Sequence, residues 1–224
     1  RCEDDQGRAD DGINLARKFI EDPSMKAAIG SWSSTVTLAA GPIYNEAKMV
    51  SITPISTHPD VTKIGPYVFR QSLTQAFEGQ FNSRYLQKLG VKTLAMINIP
   101  NDYGKANMHF TKAEFEKLGG QVVFDKTPIY LSAANDSPDL VRLAGVDAVE
   151  GVHLPVMFNP VTGPKMADFF KRYEARFGAP PDPFAGNAYL TGSMMMAIAA
   201  KQYPDVTRES IRRGLDEIRV FDGI

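Results

Sequence analysis

The 224 residues contain a single cysteine, Cys2, so no intrachain disulfide can form. This excludes a disulfide-stapled scaffold, and it suits a cytosolic protein and a bacterial periplasmic protein equally well. Long apolar runs are missing as well. The longest candidate, Met194-Met195-Met196-Ala197-Ile198-Ala199-Ala200, falls well short of the roughly 18 residues that span a bilayer. Neither sign of charge dominates: 25 Lys and Arg stand against 26 Asp and Glu, for a net charge of -1. The basic residues are scattered, so the electrostatic footprint of a nucleic-acid or anionic-membrane binder is absent. There is no Walker loop, Gly-x-Gly-x-x-Gly, His-Glu-x-x-His, Cys-x-x-Cys pair or Gly-x-Ser-x-Gly elbow. The three histidines, His58, His109 and His153, lie far apart, with no cysteine or carboxylate at ligand spacing. Neither a metal site nor a Cys-His nucleophile is expected from them.

What remains is ordinary globular composition, 43% hydrophobic and 23% charged, in a length that allows one large domain or two small ones. The pattern alternates. Ala9, Ile13, Ala16 and Ile20, with Phe19 beside them, mark a helix over Asp10 to Glu21. Ala27 to Gly30 reads as a strand, about Thr37 to Ala47 as a helix, Met49 to Pro54 as a strand and Tyr67 to Arg70 as an extended stretch. Phe77, Phe81, Tyr85 and Leu89 predict a helix with a strong apolar face, ended by Gly90. Val91 to Ile99 predicts a strand, Ala106 to Leu118 a helix capped by Gly119-Gly120, and Val122 to Phe124 another strand. Strict β-α-β-α order predicts an α/β fold with parallel sheets.

The alternation breaks at Thr127-Pro128-Ile129-Tyr130-Leu131, a second strand-like run only two residues after Phe124. Parallel neighbours need a crossover of about a dozen residues, so either the two runs form a hairpin, for which the preferred Asn-Gly or Asp-Gly turn is missing, or, as is favoured, a segment is absent between Lys126 and Thr127. The ends read the same way, since Arg1 to Asp5 resembles the end of a strand and Phe221 to Ile224 is an apolar run with no partner after it. Further on, Asp136 to Asp139 opens a helix, and Glu150 to Leu154 reads as a strand. Met166, Phe169, Phe170, Tyr173 and Phe177 share a helix, and Asn187 to Gln202 forms a long apolar one whose Met194-Met195-Met196 run belongs to the core. Thr207 caps the last helix.

Two hydroxyl-rich segments carry the functional signal. Ser31-Trp32-Ser33-Ser34-Thr35-Val36-Thr37 comes after the first strand, and Ile55-Ser56-Thr57-His58 after the second. If these strands are parallel neighbours, both segments sit at the carboxyl edge of one sheet, where open α/β sheets bind ligands. Hydroxyls and free backbone N–H groups at a helix start suit a carboxylate or another small anion. One such segment alone would be an ordinary N-cap. Trp32, the only tryptophan, either packs or lines an apolar part of such a pocket. Asp4-Asp5 reads as a loop cap or as an acid-base pair.

The set Asp4-Asp5, Gly30 to Thr35, Ile52 to Pro59, Asn101-Asp102-Tyr103-Gly104, Leu143-Ala144-Gly145, Glu150-Gly151-Val152 and Phe158-Asn159-Pro160 resembles, in order and across essentially the whole chain, the type I periplasmic solute-binding proteins of branched-chain amino-acid ABC transporters. The resemblance implies two Rossmann-like α/β lobes joined by three crossing strands, with ligand in the cleft. Residues 1–70 and 157–218 would form the first lobe, 71–156 the second, and 219–224 the start of the third crossover. It also implies a periplasmic protein or extracytoplasmic lipoprotein, monomeric and without a cofactor, that hands a small carboxylate-bearing ligand to a membrane permease.

Carried over by residue, Ser34 matches a hydroxyl that holds the ligand carboxylate, and Thr57 a second contact through hydroxyl and N–H. Ile55 and Ser56 match main-chain contacts to the ligand head group, Tyr103 an aromatic that closes over the ligand, and Trp32 the side-chain pocket. The chain departs from the pattern at Ala133, where amino-acid binders of this family carry the acidic side chain that holds the ligand ammonium. A buried ammonium without a carboxylate is costly, so this departure favours an aromatic, aliphatic or keto acid, or an amide. A ligand-sensing regulator or receptor domain is the alternative on the same fold. An α/β hydrolase using Ser34 would need a paired base that no motif supplies.

Overall fold

The computed structural model describes residues 1–96, 98–123, 138–150, 152, 161 and 163–218. They form two compact units. The first takes residues 1–74, 101–103 and the described residues from Asn187 onward; the second takes those within 75–100 and 104–186.

The first unit is built on a parallel three-stranded sheet in the order β1 (Ala27–Ile29), β2 (Val50–Thr53), β3 (Val68–Arg70). Ala28 pairs with Ser51, and Ile52 with Phe69. The central strand β2 is buried along its whole length, as a strand covered by helices on both faces must be. On one face, Val50 and Ile52 pack with Met194, Met195 and Ile198 of α8 (Pro183–Gln202) and with Ile211 and Leu215 of α9 (Arg208–Glu217). On the other, Ala28 packs with Ala16 of α1 (Ala9–Glu21) and with Ala40 and Tyr44 of α2 (Ser34–Glu46). Side chains alternate along a strand, so Ser51 and Thr53 stand on this second face.

Met196 corrects one expectation. It is 74% exposed, while Met194 and Met195 are buried. Three consecutive helical residues spread over roughly 200° of the helix circumference, so all three cannot face one core. Helix α9 starts as expected at Thr207, whose Oγ1 accepts the Ser210 N–H at 3.0 Å while Ser210 Oγ accepts the Thr207 N–H at 2.9 Å. Arg208 donates to the Ile20 and Met25 carbonyls at 3.0 and 3.2 Å and so anchors α9 to the end of α1. Tyr67 donates to Glu209 at 2.7 Å. The Arg212 guanidinium beside Glu209, with the Tyr67 hydroxyl, holds that carboxyl down to about 2.

The second unit contains α3 (Gln75–Lys88), β4 (Thr93–Leu94), α4 (Asp102–Lys117) from Gly104 onward and β5 (Gln121–Val122), with β4 and β5 parallel. Its core joins Leu86, Leu94 and Phe115. Gly119, at φ +85°, ends α4, with the Gly120 N–H reaching back to the Phe115 carbonyl at 2.9 Å. Three further helices come next, α5 (Pro138–Ala144), α6 (Val146–Val149) and α7 (Pro164–Phe177), where Phe169 is buried and its ring meets Phe170 and Tyr173. The runs expected as a strand at Thr127 to Leu131 and, beyond Val152, at His153 and Leu154 lie outside the described residues.

Helix α3 reverses the sequence expectation. Phe77, Phe81, Tyr85 and Leu89, read as its core face, are 51%, 55%, 43% and 46% exposed. The buried face is Gln75, Gly79, Asn82, Ser83 and Leu86. Small residues let the two helices touch: a Cβ on Gly79 would stand 2.8 Å from the Phe110 and Thr111 backbone of α4, and Ser83 Oγ donates to the Thr111 carbonyl at 3.1 Å. Close backbone approach, rather than apolar periodicity, selects this face. Leu86→Ala should therefore cost about 2–5 kcal/mol in urea unfolding, and Phe81→Ser should stay within about 0.5 kcal/mol of the parent. The opposite ranking would refute this orientation of α3.

Candidate functional site

Because β1 and β2 are parallel neighbours, the two hydroxyl segments do leave the sheet at the same edge. Helix α2 begins at Ser34, three residues before the expected Thr37, so Ser34 lies in its first turn rather than in a loop. Ser33 at the N-cap makes no side-chain capping bond, which leaves first-turn N–H groups open.

The segments are laced together by hydroxyls. Thr53, the last residue of β2, donates from Oγ1 to the Ser31 carbonyl at 2.5 Å. The same oxygen accepts the Ile55 and Ser56 N–H groups at 3.3 and 3.0 Å. Ser56 Oγ lies 2.6 Å from Thr37 Oγ1 and within reach of the Ser31 and Trp32 carbonyls at 3.1 and 3.3 Å. Arg70, closing β3, donates to the His58 carbonyl at 3.0 Å and to the Ser72 carbonyl at 3.1 Å. His58 Nδ1 accepts the Asp60 N–H at 3.2 Å and caps the 3-10 turn Pro59–Lys63.

Two hydroxyls stay out of this network. Ser34 and Thr57 are 2% and 7% exposed, and neither Ser34 Oγ nor Thr57 Oγ1 has a hydrogen-bond partner among the described residues. Leaving a buried hydroxyl unpaired costs about 1–3 kcal/mol. Two such groups at one sheet edge, next to an uncapped helix start, are donors that an acceptor such as a carboxylate can satisfy.

The other expected residues divide among different settings. Ser56 is buried with its hydroxyl in the lacing, and the N–H groups of Ile55 and Ser56 are used by Thr53. Trp32 is 58% exposed. Tyr103 lies in the first turn of α4 and groups with the first unit, where the neighbouring Asp102 N–H reaches Thr35 Oγ1 at 3.4 Å. Ala133 lies outside the described residues. The sequence reading did not single out Thr53 or Arg70, and it held Thr37 only as the end of the first hydroxyl segment. The signal for Thr53 was its place as the last residue of a buried strand, on the face opposite Ile52.

A cavity of about 260 Å³ also runs along β1. It takes in Ser31 and Trp32 but neither Ser34 nor Thr57, and it is lined by Leu15, Phe19 and Tyr44 together with Glu3, Asp4 and Asp5. Burial lifts the Tyr44 phenol to about 12, so that group is neutral. Asp4 and Asp5 accept the Gln6 and Gly7 N–H groups, each at 2.8 Å, which is the work of turn residues. Glu3 is in turn paired with Arg1 and Lys18, each at 2.8 Å.

Residues 2–135 and 124–224 match a family model described as periplasmic binding protein. The chain belongs to the periplasmic binding protein family. Its fold is the type I architecture of that family, α/β with parallel sheets. The chain is similar to the Leu/Ile/Val-binding protein homolog 1 of Brucella abortus, 30% identical over 118 residues that make up 52% of this chain and 32% of the relative. It thus spans about a third of that curated relative's length. Among solved structures, a leucine binding protein, LivK, from Thermotoga maritima superposes with a TM-score of 0.86 at 23% identity, over 98% of this chain and 76% of that one. A solute binding protein of an ABC transporter from Rhodopseudomonas palustris BisB5, in complex with 3,4-dihydroxy benzoic acid, superposes with a TM-score of 0.77 at 18% identity, over 93% and 71%.

Thr53→Val tests the lacing. It strands the Ile55 and Ser56 N–H groups and removes one donor from the Ser31 carbonyl, which keeps Ser56 Oγ at 3.1 Å, and should lower stability by about 1–3 kcal/mol. Amide hydrogen exchange at Ile55 and Ser56 should rise at the same time. Unchanged protection at both amides would show that Thr53 does not hold them.

Proposed function

We propose that this protein is a non-enzymatic solute-binding protein of an ABC importer, working outside the cytoplasm and delivering a small carboxylate-bearing ligand to a membrane permease. The observation that carries the reading is the pair of buried, unpartnered hydroxyls of Ser34 and Thr57 at one sheet edge. The ligand carboxylate would accept from both hydroxyls, and from the open N–H groups at the start of α2, whose dipole favours negative charge there. Trp32, Ile55, Ser56 and Tyr103 would surround the rest of the ligand. Among the described residues, nothing at this edge provides a base for a serine nucleophile: His58, the histidine nearest in sequence, uses Nδ1 to cap its own turn.

The relatives' names offer two ligand classes, Leu/Ile/Val and 3,4-dihydroxy benzoic acid. Both carry a carboxylate attached to an apolar body, and they differ in the amine. Ala133 stands where the resemblance places the partner of an ammonium, so the proposed ligand is an acid without an amine.

A thermal-shift screen with leucine, isoleucine, benzoate, 3,4-dihydroxybenzoate and 4-methyl-2-oxopentanoate tests this, since a ligand of the folded state raises the melting temperature. Shifts with the amine-free acids and none with leucine or isoleucine are expected. Ser34→Ala and Thr57→Ala should each weaken binding of the responding acid by about 1–3 kcal/mol. Shifts confined to the amino acids would overturn the inference from Ala133, and affinity untouched by both substitutions would overturn the site.

A further inference from the structure

Arg70 is a half-buried cation with no acid to answer it among the described residues. No carboxylate among the described residues lies within ion-pair distance of it. Its bonds go to two main-chain carbonyls, of His58 and Ser72, which uses two of five N–H donors. Burial alone pulls its pKa below the usual guanidinium value, though a guanidinium stays charged throughout the working range. An unpaired, partly desolvated charge is costly to keep.

Its position says what the charge is for. Arg70 ends β3 in register with Thr53. Phe69 packs towards the core of α8 and α9, so Arg70 leaves the sheet on the opposite face, the face of Thr53 and its hydroxyl lacing. Through the His58 carbonyl its guanidinium sits against the residue next to Thr57. Lys63, the other cation beyond this loop, is neutralised by Asp60 at 2.7 Å.

We propose that Arg70 is the electrostatic selector of the site, a positioning residue whose uncompensated positive charge makes the Ser34–Thr57 edge prefer a carboxylate over its neutral amide. The inference rests on the reading of Ser34 and Thr57 as the anion-binding pair. Arg70 does not touch the ligand. It acts through its field, and its bond to the His58 carbonyl fixes where that charge stands.

The test is isothermal titration of the parent, Arg70→Gln and Arg70→Lys with two matched pairs, benzoate with benzamide and leucine with leucinamide. In the parent, the acid of the responding pair should bind at least about tenfold more tightly than its amide, the scale of a charge interaction in partly buried surroundings. Arg70→Gln should remove most of that preference by weakening the acid and leaving the amide unchanged. Arg70→Lys keeps the charge without the fork and should restore most of the preference, which a purely structural role would not do. Equal weakening of acid and amide, or acid affinity unchanged in Arg70→Gln, overturns the proposal. If the acid responds to Ser34→Ala and Thr57→Ala but not to Arg70→Gln, only this inference fails. If no acid binds the parent, or binding ignores the two hydroxyls, the reading of the site falls and this inference with it.

Discussion

The Thr53 hydroxyl is the joint on which the binding edge depends. A parallel sheet brings the ends of β1 and β2 side by side, but it does not fix the segments that leave them. Thr53 does this with one oxygen, donating to the Ser31 carbonyl of the first segment and accepting two N–H groups from the second. Ser56 repeats the tie from the other direction, with Thr37 bringing in the first turn of α2. The exchange is nearly self-contained, because most hydroxyls and carbonyls at this edge are consumed by one another. That consumption makes the two exceptions informative. In a region so thoroughly paired, Ser34 and Thr57 stand buried and open together, with the Gln71 side-chain carbonyl nearby as a third buried group without a partner among the described residues.

The apolar core explains why this edge can be rigid. β2 is buried on both faces, with methionine and isoleucine side chains of α8 and α9 on one side and small residues of α1 and α2 on the other. Small side chains at Ala16, Ala28 and Ala40 bring α1 and α2 close to the strands, and so bring the start of α2 to the sheet edge. Arg208 ties the end of α1 to the start of α9 across 188 residues of sequence. The hydroxyl lacing therefore rests on a sheet whose two covering layers are themselves joined.

Much of this was legible in the sequence. Apolar periodicity located α1, and the order of strands and helices predicted parallel pairing, which placed both hydroxyl segments at one edge. The misreadings share a physical cause. Serine and threonine at Ser34 and Thr35 look like loop residues because they compete for backbone hydrogen bonds, yet here they open a helix. On α3, periodicity selects the residues with the most apolar surface, whereas the packed face is the one that permits backbone contact through Gly79 and Ser83. Met196 was misplaced because a run of identical residues has no face. Ser56 carried the right chemistry, but its hydroxyl serves the lacing. No local pattern separates a structural serine from a ligand-binding one, since the difference lies in whether a partner comes from another strand.

Arg70 could not have been found by pattern at all, because a lone arginine at a strand end reads as a solvated charge. Its meaning comes from its surroundings in space. Around the first unit the charges divide. Glu3, Asp4 and Asp5 line the cavity along β1, with Glu3 paired to Arg1 and Lys18, while the lacing carries the Arg70 guanidinium, which has no ion-pair partner among the described residues, and the start of α2. The hollow combines apolar side chains with carboxylates, whereas the hydroxyl edge presents hydroxyl and N–H donors. Cavity volume and chemistry therefore point to different places. For the carboxylate ligand proposed above, chemistry outweighs volume, because at the edge its desolvation would be offset by hydroxyl and N–H donors already held in place, whereas the β1 hollow is lined mainly by apolar and small side chains.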